Sequence, residues 1–216
     1  LTILAAEPDA EQSKPQIKPV PNQHQLIERI VAIGGDAETS GGYIILVSLL
    51  DATDEDFKLL ADLKAVKYLD CSNCKIDGSG LANIAQMKRL EKLWLHENTF
   101  NEKHLRYISD FPRLHTLWLQ DTPITDCGLR HIRNLKSLER LYLENTNVTD
   151  KGLKHLHALK KLERLDLGGT KVTTKGIEDL KKHLPKAKIW GSTVTHCNIN
   201  RVRAAISDRP PHTTWH

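Results

Sequence analysis

The sequence predicts an α/β solenoid, a curved parallel β-sheet on one face and α-helices on the other. Three observations point there. Val66, Leu90, Leu114, Leu138 and Leu162 open five units spaced by 24 residues, and Gly42 opens a degenerate earlier unit in the same frame. Within a unit, apolar residues alternate at offsets +3 and +5 and then recur at +15, +18 and +21, a switch from strand period to helix spacing. No such unit buries its apolar side alone, whereas stacked units bury one continuous core.

The elements follow in order. Residues 1–21 begin LTILAA and continue acidic and proline-bearing, which reads as a remnant of an export signal and a linker that does not fold. Export to the periplasm, the medium or the cell surface is the expectation, a cytoplasmic chain the alternative. HQLIERIVAIGG (His24 to Gly35) places Leu26, Ile27, Ile30, Val31 and Ile33 on one helical face and stops at glycine, so residues 22–41 are expected to form an N-terminal capping helix. Residues 42–190 hold about six units and a last partial strand in KIWGSTVT, with Ile189 inward. NINRVRAAIS, with Ile199, Val202 and Ile206, is expected to close the other end within a cap and tail over 191–216.

Each unit reads L-x-x-L-x-L-x-x-T/N/C-x-I/V-T/D-D-x-G-L-x-x-L-x-x-L, most clearly in LHTLWLQDTPITDCGLRHIRNLKSL and LERLYLENTNVTDKGLKHLHALKKL. Thr125, Thr149, Thr173, Thr53, Asp77 and Asn101 share the offset just before the helix, where a short oxygen-bearing side chain accepts free backbone N–H groups. The acidic residue that often follows suits the positive end of the helix. The string resembles leucine-rich repeats from Gly42 to Trp190. Its T-D-x-G-L stretch resembles the ribonuclease-inhibitor-like and cysteine-containing subfamilies, including the repeats of F-box proteins and of exported bacterial repeat proteins. That resemblance implies a leucine-rich-repeat solenoid, curved, with α-helices on its convex face, acting as an interaction scaffold. Departures are local: His104 and Asp56 stand in the glycine slot, and Leu50 stands where the first unit should carry Thr or Asn.

Composition excludes little and charge is uneven. The chain is 39% apolar and 27% charged, ordinary for a globular protein. Its longest apolar run, Tyr43 to Leu50 interrupted by Ser48, has strand length and falls short of the ~18 residues of a membrane span. Residues 1–63 carry 11 acidic and 4 basic side chains and the rest 16 and 27, which sums to +4. The basic excess includes Lys151, Lys154, Lys160, Lys161, Lys175, Lys181 and Lys182 on the later helices, the usual solubilising choice. Nucleic-acid readers interleave arginines and aromatics on one surface, and here the aromatics lie opposite, so nucleic acid is not an expected partner.

No catalytic or cofactor constellation emerges. Cys71-x-x-Cys74 lacks a second ligand pair, and the frame places both cysteines in slots filled elsewhere by Leu and by Thr or Asn, which makes them small buried side chains and not zinc ligands. With Cys127 and Cys197, a disulfide of unreadable pairing is open to an exported chain. The eleven histidines do not converge, and no G-x-S-x-G, Walker loop or carboxylate pair occurs.

One feature asks for function. LEKLWLHENT, LHTLWLQDT and LERLYLENT put Trp94, Trp118 and Tyr142 at offset +4, facing away from the core on the concave sheet, where strands ~4.8 Å apart would align them as a ladder. Tyr68, Lys92, Arg140 and Arg164 at +2 and His96, Gln120 and Glu144 at +6 flank it, with Asp70 and Asp166 at its ends. An apolar centre with a charged rim has the composition of a binding hot spot. The expected function is a non-catalytic protein- or peptide-binding scaffold. A glycan-binding module is the alternative, as is an F-box-like adaptor, for which residues 1–41 are too short to hold the docking domain. Two other accounts of the ladder stand beside these. Neighbouring aromatics stabilise a sheet by about 0.5–1 kcal/mol each, and a loop or the chain's own tail, with Trp215, is a candidate to lie over it.

Overall fold

The computed structural model describes residues 22–191. The expectations for residues 1–21 and for the closing helix and tail, Cys197 and Trp215 among them, lie outside the described residues. Eight strands form one sheet in sequence order: β1 (Asp36–Ser40), β2 (Tyr43–Ser48), β3 (Tyr68–Asp70), β4 (Lys92–Trp94), β5 (Thr116–Trp118), β6 (Arg140–Tyr142), β7 (Arg164–Asp166) and β8 (Lys188–Trp190). From β2 onward every pair is parallel. The chain is a leucine-rich-repeat solenoid.

The 24-residue frame is the register of the sheet. Leu69, Leu93, Leu117, Leu141 and Leu165 at +3 stand opposite one another strand by strand, each fully buried. Cys71, Leu95, Leu119, Leu143 and Leu167 fill the +5 slot behind them. The helix-spaced residues, such as Leu129, Ile132 and Leu135, close the other side of the same core.

The convex side departs from an all-α expectation. Alongside α1 (Gln23–Ala32), true α-helix forms at α2 (Asp126–Ile132), α3 (Asp150–Leu153) and α4 (Thr174–His183), while Asp56–Leu60, Ser79–Ile84 and Glu102–Ile108 are 3-10 turns. These 3-10 segments run five to seven residues, no shorter than α2 with seven and α3 with four, so length alone does not select the tighter helix.

Three further corrections concern the N-terminal end. Residues 22–41 are not helix alone, because β1 folds back antiparallel on β2 across Gly41-Gly42, both at positive φ (57° and 78°). That is the two-residue hairpin signal, present in the sequence between extended runs. On α1, Ile30 is buried and Leu26 and Ile27 pack on the core, but Val31 is 54% exposed. The first unit is also out of frame: Leu46, Val47 and Ser48 pair with Tyr68, Leu69 and Asp70, a spacing of 22 residues. A strand alternates faces with period two, so a two-residue shift leaves Val47 and Leu49 pointing inward, 0% and 1% exposed. The loop absorbs the shift between Asp51, whose φ of 53° matches that of Asn73 after the next strand, and Thr53, whose bridge to Lys75 has the spacing of Thr149 to Lys171 in the regular units.

The T-D-x-G string is a clamp between units. Thr125 and Thr149 cap their own helices by accepting from the backbone N–H two residues on, and Thr173 accepts from Gly176. Asn101 and Asp77 accept from Lys103 and Ser79, whereas Thr53 instead donates its hydroxyl to Asp56. The acid that follows lies in the first turn of its own helical segment and also reaches forward to the next unit. Asp126 accepts from the N–H (2.8 Å) and hydroxyl (2.7 Å) of Thr149, and Asp150 does the same for Thr173. Glu102 receives Thr125 in the same way and also the N–H of Gly128, and Asp54 receives the N–H groups of Asp77, Gly78 and Gly80. These carboxylates sit where a side chain on the next unit's glycine would go: a Cβ on Gly128 would meet Glu102 Oε2 at 2.9 Å, and one on Gly152 would press into Asp126 Oδ1. One boundary inverts the arrangement. Gly78 occupies the acid slot, and His104 follows it in the glycine slot, where its Nδ1 lies 3.1 Å from the carbonyl of Asp77.

Gly152→Ala is expected to cost about 1–3 kcal/mol in urea unfolding, and Asp126→Gly with Gly152→Ala to cost less than the sum of the two single changes, since the steric conflict needs both partners.

Candidate binding surface

The sheet register assembles the ladder. Trp94 stands opposite Trp118, Trp118 opposite Tyr142, and Asp70 and Asp166 take the next places on either side. The rings lie face to face, Trp94 to Trp118 at 4.4 Å and 8°, Trp118 to Tyr142 at 5.4 Å and 5°. With Tyr68 packed against them they form an apolar cluster separate from the leucine core. Trp190 on β8 continues the column beyond Asp166, 37% exposed. It is the same frame extended by one unit, a residue the sequence reading did not single out.

The rings do not face water. Trp94 and Trp118 are 2% exposed and Tyr142 7%. Stacking removes their faces from solvent, and the flanking rows stand beside them: Lys92, Arg140 and Arg164 on one side, His96, Gln120 and Glu144 on the other, all half-buried. Thr116, Asp70, Ser72 and Asp166 on the same face are buried outright. Asp70 accepts from the backbone N–H (2.9 Å) and hydroxyl (2.6 Å) of Ser72, and Asp166 accepts from the N–H of Gly168 (3.0 Å). Lys92 lies over the Tyr68 ring at 5.7 Å. The Tyr68 hydroxyl donates to Glu91 (3.4 Å), and burial first, then that carboxylate, raises its pKa. Lys92, His96, Arg140, Tyr142, Glu144 and Asp166 are all engaged in polar or ring contacts.

The remaining candidates stay apart. Cys71 and Cys74 are buried as free thiols, and Cys127 is exposed. Burial pushes the Cys71 thiol well up and that of Cys74 to about 11, so neither is a thiolate at neutral pH, which suits packing and not nucleophilic attack. The basic residues of the later helices, Lys151 to Lys182, are exposed on the convex side. His157 stacks on His183 at 3.7 Å there, far from the ladder in the fold. No described helix is long and apolar enough to cross a membrane.

No protein-family model and no curated protein matches the sequence. Among solved structures the chain is similar to an internalin of Listeria monocytogenes, 18% identical with TM-score 0.45 over 64% of this chain and 44% of that one. It is also similar to a leucine-rich-repeat protein of Leptospira interrogans, 21% identical with TM-score 0.36 over 62% of this chain and 45% of that one. A third likeness is internalin C2 of Listeria monocytogenes, 14% identical with TM-score 0.42 over 82% and 95% of the two chains. The chain thus spans less than half the length of the first two. The solenoid stands on its own sheet register and repeat frame.

Two measurements follow from this geometry. Trp118→Ala removes the middle ring of the stack and is expected to cost about 3–5 kcal/mol in chemical unfolding. His115, His131, His155 and His157 are each held below the ordinary imidazole value, with burial the first cause in every case. Below that value of 6.5 the unfolded chain therefore binds more protons than the folded one. Stability is full above it and falls as the pH drops through the depressed values. The thermal midpoint is expected to decline from about pH 7 to pH 5, and more shallowly in His157→Gln.

Proposed function

We propose that this chain is a non-catalytic scaffold that binds a protein or peptide on its concave sheet. The supporting observation is the aromatic column set between two charged rows, an apolar centre with a polar rim on one continuous face. In this reading Trp94, Trp118 and Tyr142 supply the apolar contact. The rings are the buried floor of that contact, and the half-buried rows meet the ligand over it: Lys92, Arg140 and Arg164 pair with its acidic groups, Tyr68 extends the apolar edge, and His96, Gln120 and Glu144 set its orientation. The geometry weighs against the glycan alternative, because sugars stack on ring faces and these faces are used by one another.

The test is a displayed peptide library panned against the full chain. Selected peptides are expected to lose at least tenfold in affinity on Arg140→Glu or Arg164→Glu and to keep it on the convex control Lys181→Glu. Peptides indifferent to all three would remove the concave assignment, and binding found only on an oligosaccharide array would replace it with the glycan reading.

A further inference from the structure

We infer that the basic groove between the turns entering β7 and β8 is the seat of an acidic stretch of the peptide ligand. The inference rests on the reading of this chain as a peptide-binding scaffold and names the chemistry of that ligand. It begins from the division of charge along the strands. The five residues ending at the first residue of each of β3 to β8 (64–68, 88–92, 112–116, 136–140, 160–164 and 184–188) hold 13 Lys or Arg and 3 Glu. The loops leaving β3 to β7 (72–79, 96–103, 120–127, 144–151 and 168–175) hold 5 Lys and 7 Asp or Glu. A surface charged only for solubility intersperses the two signs. Here one rim of the sheet is basic and the opposite rim is not.

The unmatched charge gathers at one end of that rim. A groove of about 560 Å³ is lined by Lys160, Lys161, Arg164, Lys186 and Lys188, against Glu139 and Glu163. Lys160 and Lys161 are not on a helix, since the helical segment before them ends at Leu156. Lys160 donates to the carbonyl of His183 at 3.0 Å and the backbone N–H of Lys188 to the carbonyl of Glu163 at 2.7 Å, so the two turns are tied together and the groove has fixed walls. Farther along the rim basic groups are matched, Lys67 with Glu91 at 3.8 Å and Lys88 with Asp110 at 3.0 Å. Lys161, Arg164, Lys186 and Lys188 make no ion pair within 4.0 Å among the described residues. Like charges gathered without a counter-charge repel one another, and an anion entering the groove relieves that repulsion.

Two observations select an acidic peptide among anions. Arg164 stands opposite Lys188 at the head of β7 and β8, in the row that Arg140 occupies on β6, so the groove opens onto the concave face and one extended ligand reaches both. Glu139 and Glu163 lie among the lysines. A nucleic acid or a sulfated glycan carries charge on every unit and meets both carboxylates, whereas a peptide sets acids against the lysines and neutral residues against the glutamates. No aromatic side chain lines the groove for a base to stack on.

The probe is a labelled peptide of alternating Glu and Ser, titrated into the full chain at physiological salt beside its Gln and Ser counterpart. A sulfated oligosaccharide and an oligothymidylate of equal charge serve as comparisons. The Glu peptide is expected to bind and the Gln peptide to bind at least tenfold more weakly. Lys161→Glu with Lys186→Glu is expected to weaken the Glu peptide at least tenfold. Lys154→Glu with Lys181→Glu, the same change of charge on the convex side, is expected to weaken it less than twofold. All four lysines are exposed, and a thermal melt of each variant confirms that it folds. Equal loss in the two variants, or no loss in the first, would overturn the inference, as would tighter groove-dependent binding of the sulfated or nucleic-acid oligomer. The concave reading fails separately, because Arg140 lies outside the groove. Library peptides that respond to Arg140→Glu, beside a Glu peptide indifferent to Lys161→Glu with Lys186→Glu, refute the groove alone. A Glu peptide that needs the groove, beside a library in which nothing responds to Arg140→Glu, refutes the concave reading alone.

Discussion

Every unit of this chain buries its leucines against a neighbour, and no unit has enough apolar surface to do so alone. A single column at +3, fully buried from Leu69 to Leu165, therefore depends on the sheet staying in register across the whole array. Register is usually guarded by the alternation of faces, which forbids a one-residue slip but tolerates a slip of two. The first unit shows that tolerance directly, since β2 pairs two residues late and still keeps Val47 and Leu49 inside.

The carboxylate clamp supplies what alternation does not. Thr149, held by Asp126 through two hydrogen bonds while its own hydroxyl caps α3, fixes where each convex segment begins relative to the previous one. At both partners the groups are only partly buried, so each clamp is a modest contribution, but it recurs at successive boundaries and is directional. The glycine that follows makes room for the carboxylate. The motif thus joins three roles, cap, tether and clearance, that belong to two different units.

How much of this was legible from sequence differs by residue. The frame, the inward leucines and the placement of Cys71 and Cys74 were readable because they depend on local period alone. The alignment of Trp94, Trp118 and Tyr142 was readable too, since identical spacing forces identical register. Their burial was not, because offset names the face of a sheet and says nothing of what covers it. The place of Asp126 in the first turn of α2 was readable, and its forward reach was not, since its partner lies 23 residues on. The shift at β2 was invisible for a plain reason: moving a strand by its own period leaves the pattern of apolar residues unchanged. The hairpin at Gly41-Gly42 carried a signal, overshadowed by the helical spacing just before it.

The exchange of Gly78 and His104 has a consequence for how such a chain is lengthened or shortened. A repeat counted from leucine to leucine separates each acid from the glycine that accommodates it, so the mechanical module straddles two sequence units. Removing residues 114–137 would bring Glu102 against Gly152 and keep the pairing intact. Removing residues 66–89 would set Asp54 against His104, a carboxylate facing a side chain with no clearance. Equal deletions by the leucine count are unequal at the seam, and the part to be copied or excised runs from one acid slot to the next glycine.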